Sequence, residues 1–243
     1  MTIRLYISAD SGSDPRFHLP WNYHLSVQSF IYDGLNEYAP ELASELHQFP
    51  HAPPFVFSEF VQTGPYQTGE DGLSCERGYW VFSSDNKQII DAVANHARHH
   101  ELQVGHTQVP VEGVELEETQ GVERARYRAL SPIYVSQSVD RHREDLYPED
   151  GMWYARLRDN IRDRMEARWD ETSEQLIVED VHWWKTSRLR VGDSGWATGT
   201  RLELTLQTDT RTSEFIQQRG LGERTGSGFG CVMPVEQIPE EWR

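Results

Sequence analysis

The chain has 243 residues, with 39 carboxylates against 23 basic side chains and a formal net charge of −16. Its 8 Trp, 10 Tyr and 9 Phe exclude an intrinsically disordered chain, because that aromatic load can fill a core, and no apolar run approaches the ~18 residues of a membrane span. The two cysteines, Cys75 and Cys231, are too far apart for a disulfide framework and too few for a four-thiolate metal site. With no secretory leader ahead of the first strand-like pattern, the expected compartment is the cytoplasm.

Alternation of Ile3, Leu5 and Ile7 predicts a strand at the start of the chain, followed by a loop over 10–16. Leu25, Phe30, Ile31 and Leu35 have helical spacing, with Gly34 and Asn36 expected to fray the end of that helix. A short helix is predicted over 41–49 between Pro40 and Pro50, and strands over 55–61 and 78–82. Ile89, Ile90, Val93 and Ala97 mark a helix over 87–99, and 102–114 returns to strand character. Strand, helix, strand, strand, helix, strand is the ferredoxin-like βαββαβ order. The second half repeats it: strand 124–135, helix 153–168, strands 175–184 and 200–208, helix 212–219 and strand 228–235. The fold class is therefore α+β, two tandem ferredoxin-like domains over 1–118 and 122–243, linked near 115–121.

The most specific motif is the run of Gly220, Gly222, Gly226, Gly228 and Gly230, interrupted by Arg224 and Ser227. Glycine permits positive φ and close backbone approach, so such a loop can aim several N–H groups at a phosphate. The motif lacks the Lys and Ser/Thr of a P-loop, and it follows a helix and opens a strand, the reverse of a dinucleotide-binding turn. The plain alternative is a tight helix-to-strand turn.

This loop resembles the C-terminal glycine-rich signature of the CRISPR repeat-processing endoribonucleases of the RAMP superfamily. Leu19-Pro20-Trp21-Asn22-Tyr23 with Gln28-Ser29-Phe30-Ile31-Tyr32 is similar to the family's N-terminal segment. Leu46-His47-Gln48 with Phe55-Val56-Phe57-Ser58 resembles its catalytic-histidine segment, and Leu130-Ser131-Pro132-Ile133 the opening of its second domain. The resemblance implies cleavage of CRISPR precursor RNA within each repeat, with CRISPR repeat RNA as partner and no metal or other cofactor. It places His47 at the catalytic position and Tyr32 at an active-site tyrosine of some members.

Metal-free RNA cleavage uses the ribose 2′-OH as nucleophile and gives a 2′,3′-cyclic phosphate and a 5′-OH. The protein must hold the in-line geometry, move protons and stabilise charge. Histidine suits the proton work, its ordinary pKa being near ~6.5. His51 is a candidate second proton-transfer group or phosphate contact, and Tyr32 can equally be a packing residue. No Lys or Arg occurs between Arg16 and Arg77, where some members carry a lysine. The compensating charge is expected from His51, Arg16, the loop amides or a distant arginine.

All but two of the basic residues are arginine, the exceptions being Lys87 and Lys185, and 18 of them fall in 121–243. Arg124, Arg126 and Arg128 alternate, so a strand would present all three on one face; Arg188 and Arg190 do the same after Trp183 and Trp184. Both sets are candidate RNA contacts. Arg158 and Arg162, and Arg164 and Arg168, are four apart on the predicted helix, where pairing with Asp159, Asp163 and Glu166 is the plain alternative. Low lysine and excess carboxylate resemble proteins adapted to molar salt, where counterion release contributes little and a shallow salt slope is expected. His96, His99, His100 and His106 place two imidazoles at i and i+4, but His-Glu-x-x-His is absent, and no metal is expected there. Two other functions stay open: a non-catalytic RNA-binding subunit beside other subunits of a CRISPR effector complex, and a domain binding a small phosphate ligand through the glycine loop.

Overall fold

A computed structural model of the chain describes residues 2–10, 16–48, 53–140, 142–169, 176–192 and 195–238, with the backbone alone at 2–10, 47, 48 and 119. In chain order the main elements are β1 (Thr2–Asp10), α1 (His24–Tyr38), α2 (Pro40–Gln48), β2 (Phe55–Phe57), β3 (Arg77–Ser84), α3 (Lys87–His99), β4 (Val111–Thr119), β5 (Arg124–Ala129), α4 (Gly151–Trp169), β6 (Leu176–Val191), β7 (Gly195–Thr208), α5 (Thr210–Arg219) and β8 (Val232–Pro234).

The first sheet runs β4-β1-β3-β2 and the second β6-β7-β5-β8, antiparallel throughout. Renumbered within each half, both read 4-1-3-2, the order a βαββαβ chain makes when each helix crosses over its sheet. The fold is thus two tandem ferredoxin-like units. Of the loop expected over 10–16, residue 10 ends β1 and residues 11–15 lie outside the described residues.

Strand alternation explains how the halves join. Phe55, Phe57, Trp80 and Phe82 point to one face of the first sheet and pack with Ile31, Leu35, Ile89 and Val93 of α1 and α3. The intervening Val56, Tyr79 and Val81 point to the other face, where they meet Cys231, Met233 and Ile238 of the second half. Both faces of the sheet are therefore dry. The second core gathers Tyr127, Leu202, Leu204 and Leu206 from its sheet against Trp153, Leu157 and Ile161 of α4 and Phe215 and Ile216 of α5.

Several boundaries differ from the sequence expectation. The first helix does not fray at Gly34 but continues to Tyr38, because α3 packs over it: a Cβ at Gly34 would lie 2.9 Å from the His96 Cβ. β4 runs to Thr119, so the link is only 120–123; its acidic residues read as a loop but form an edge strand. The 124–135 strand stops at Ala129, and the 228–235 strand shrinks to Val232–Pro234. β6 and β7 extend past the expected strands to Val191 and Gly195, making one long hairpin. Its outer part is joined by the hydrogen-bond ladder, and there Leu189, Val191 and Ala197 pack against Tyr134 and Phe229.

Candidate functional site

A cleft of about 1090 Å³ lies between the halves. From the first half it is lined by Gln28 and Tyr32 of α1, by Leu42, Glu45 and Leu46 of α2, and by Pro53 and Pro54. From the second half come Asn160, Arg164 and Arg168 of α4, Arg219 at the end of α5, and Gly222, Arg224, Gly226 and Ser227 of the glycine loop. Five arginines (Arg143, Arg164, Arg168, Arg219 and Arg224) face three carboxylates (Glu45, Asp163 and Glu223) along its lining. This is a locally basic groove on a protein of net charge −16.

The loop starts because Gly220, with φ of 79°, ends α5 while its N–H still donates to the Ile216 carbonyl at 2.9 Å. It then folds back on itself. Leu221 N–H donates to the Gly230 carbonyl, Gly230 N–H to Pro132, and Glu223 N–H to Tyr134, each at 2.8 Å. Ser227 and Gly228 amides close a 3-10 turn on Arg224 and Thr225. Most loop amides are therefore committed to the chain's own carbonyls, which narrows the expectation of many amides aimed at one phosphate. Among the described residues, the amides of Thr225 and Gly226 have no backbone partner. Gly226 is required by approach: a Cβ there would fall 2.1 Å from the Pro53 Cγ. Gln28 completes the contact by donating to the Gly226 carbonyl at 2.8 Å.

Arg164 is the loop's clamp. Its guanidinium donates to the carbonyls of Gly220 at 3.1 Å, Gly222 at 3.0 Å and Arg219, and lies 5.4 Å from the Phe215 ring centroid. Burial, reinforced by the nearby Arg219 charge, pushes its pKa down to about 9 despite Asp85, so it stays charged at neutral pH. Asp85, following β3, receives Arg168 and Arg219 on its two carboxylate oxygens, each at 2.8 Å, tying the first half to α4 and α5. Arg224 sits at φ of 58° with its guanidinium 5.1 Å from the Tyr134 ring centroid. Its Nε is buried and makes no hydrogen bond among the described residues. Arg143 pairs with Glu223 and also covers the Tyr134 ring.

Two consecutive family models cover the chain: "CRISPR associated protein Cas6, N-terminal" matches residues 18–115 and "CRISPR associated protein Cas6, C-terminal" residues 115–234. The chain belongs to the Cas6 family. It is 24% identical over 225 residues to the CRISPR-associated endoribonuclease Cas6 1 of Methanocaldococcus jannaschii, covering 90% of this chain and 88% of the relative. It is 28% identical over 228 residues to a Pyrococcus horikoshii protein named as endoribonuclease-like, Cas6nc, covering 90% of this chain and 94% of that one. Among solved structures, an RAMP protein binding different RNA substrates superposes with a TM-score of 0.83 at 25% identity, over 97% of this chain and all of that one.

On this Cas6 fold the sequence-derived residues divide. Tyr32, Gly222, Arg224, Gly226 and Ser227 line the cleft together with Leu46, the neighbour of His47. His47 is the penultimate residue of α2, with its side chain outside the described residues; His51 lies outside them altogether. Tyr32 meets Phe55 edge-on at 5.9 Å and also lines the cleft, and burial raises its pKa. Gly220, Gly228 and Gly230 are buried turn formers with positive φ.

The two arginine sets lie off the cleft. Arg124 pairs with Glu179 at 2.9 Å, and Arg126 and Arg128 both pair with Glu203. Arg188 covers the Trp196 ring at 5.4 Å, and the Arg190 carbonyl accepts from His24 Nε2 at 2.5 Å. Arg16 pairs with Glu76 at 3.3 Å and does not line the cleft. Sequence reasoning missed Gln28, Arg143, Arg219 and the partner of Arg164. The i,i+4 spacing of Arg164 and Arg168 was a signal, but the carbonyls that Arg164 holds and the carboxylate that Arg168 meets lie 55 or more residues away. Among the described residues, one set of imidazole and carboxylate donors, Glu37, His96 and His100, is grouped so that it can hold a metal ion.

Proposed function

We propose that the chain is an endoribonuclease that cuts CRISPR precursor RNA within its repeats without a metal ion, using units divided at 1–118 and 122–243. The observation that carries this reading is that one basic cleft joins the C-terminal turn of α2, which bears His47, to Tyr32 and the glycine loop. The ribose 2′-oxygen attacks the adjacent phosphorus, the bond to the 5′-oxygen breaks, and 2′,3′-cyclic phosphate and 5′-hydroxyl ends result. His47 moves a proton at one of these oxygens and Tyr32 orients the phosphate, with His51 as second proton-transfer group. Arg224, cleft-lining and with an unspent Nε, supplies the charge for which no nearby lysine exists, and Gly226, also on the cleft lining, offers a loop amide.

Incubating the protein with repeat RNA in EDTA and mapping the fragment ends tests the reading. The expected product carries a cyclic phosphate, and His47→Ala cleaves at least ~100-fold more slowly while still binding. Undiminished cleavage by the variant, or loss of wild-type cleavage in EDTA, overturns it. Repeat binding by the wild type with no cyclic-phosphate product replaces it with the non-catalytic RNA-binding subunit.

A further inference from the structure

Away from the cleft, α1 and α3 cross with Gly34 at their contact, where a Cβ would lie 2.9 Å from the His96 Cβ. This close approach brings Glu37, one turn further along α1, to two imidazoles that α3 places four residues apart. The Glu37 Oε2 lies 2.8 Å from His96 Nδ1 and 3.1 Å from His100 Nε2. The two rings stack at 4.3 Å between centroids with a 25° interplanar angle. His96 is buried and further held by the Phe30 ring, 4.6 Å away and edge-on. All three donor atoms fall within 4.8 Å of one another.

We propose that Glu37, His96 and His100 form a zinc site that staples α1 to α3. With metal–ligand bonds of ~2.0–2.1 Å, neighbouring ligands of a tetrahedral ion stand ~3.3 Å apart, and the two carboxylate-to-imidazole separations of 2.8 and 3.1 Å are close to that spacing. One carboxylate oxygen stands opposite two imidazole nitrogens, an arrangement that a single cation can bridge. Two imidazoles and a carboxylate select a borderline divalent ion over Mg²⁺ or Ca²⁺. Glu37 and His100 are partly exposed, leaving an entry path and a fourth position for water. None of the three residues lines the cleft, so the ion is structural and takes no part in RNA cleavage.

The experiment uses tag-free, full-length protein stripped by chelation and titrated with Zn²⁺ by calorimetry, with thermal unfolding followed in parallel. One equivalent should bind, and at a hundredfold excess over Kd the Tm should rise by ~5 °C. His100→Ala and Glu37→Gln, both conservative of the packed interior, should each weaken binding at least tenfold and abolish the Tm rise. Co²⁺ in place of Zn²⁺ should give the visible absorption of a four-coordinate ion in the wild type only. Absence of binding, or stoichiometric binding that both variants retain, overturns the proposal. The variants leave the cleft untouched, so failure here and failure of the RNA reading are separable.

Discussion

Two groups of arginines differ in what their neighbours leave them free to do. On β5, alternation does present Arg124, Arg126 and Arg128 on one face, but the adjacent strand sets Glu203 directly opposite Arg128. Burial alone would lift the Glu203 carboxyl, yet the Arg128 and Arg126 guanidiniums outweigh it and hold the group below the usual carboxylate range. On α4, α5 and the loop, arginines instead meet backbone carbonyls, the shared Asp85 and an aromatic face. Those partners consume donors without cancelling charge one for one. The stripe legible in sequence is largely neutralised, and the cationic surface lies where residues far apart in the chain converge.

The sharpest break of this comparison is Arg164→Met. Three carbonyls lose a charged donor, a cost on the order of 3 kcal/mol, and Tm should fall by roughly 2–4 °C per kcal/mol for a chain of this size. Calorimetric scanning reads the Tm, and the cleavage rate should fall with it because the loop is no longer clamped. An unchanged Tm would mean the loop holds itself.

Next in size is the acid limb of stability. The folded Glu203 pKa is depressed, so its contribution is present above the unfolded carboxylate value of about 4.3 and is lost as pH falls through the folded value. Urea unfolding between pH 6 and 3 should show a shallower acid loss in Glu203→Gln than in the wild type; parallel curves would show the triad to be inert.

The smallest effect expected is that of Arg124→Gln. Its exposed pair with Glu179 contributes at most about 1 kcal/mol, and repeat-RNA affinity in low salt should change by less than ~3-fold. A tenfold loss would return the β5 face to the RNA surface and erase the distinction between the two groups.

Much of the fold was legible because its signals are local. The helix over 87–99 follows from Ile89, Ile90, Val93 and Ala97 on one side and the Asn86 side chain capping the Gln88 N–H. Tyr32 and the glycine loop were legible through motif order. What was hidden depends on register and distance. Nothing near Arg128 announces Glu203, which stands 75 residues away. Nothing in the glycine run reveals that Arg164 holds its carbonyls or that Pro53 fills the space a Gly226 side chain would need. The full reach of the hairpin was hidden for another reason: Leu189, Val191 and Ala197 close on Tyr134 and Phe229, which are remote from them in sequence.

The doubly covered first sheet has a consequence for how such a chain can be made and modified. Because Val56, Tyr79 and Val81 rest on Met233 and Cys231 rather than on water, severing the polypeptide between its halves would bare an oily surface on each fragment. The two units are therefore inseparable partners, and neither is a portable module for grafting onto another scaffold.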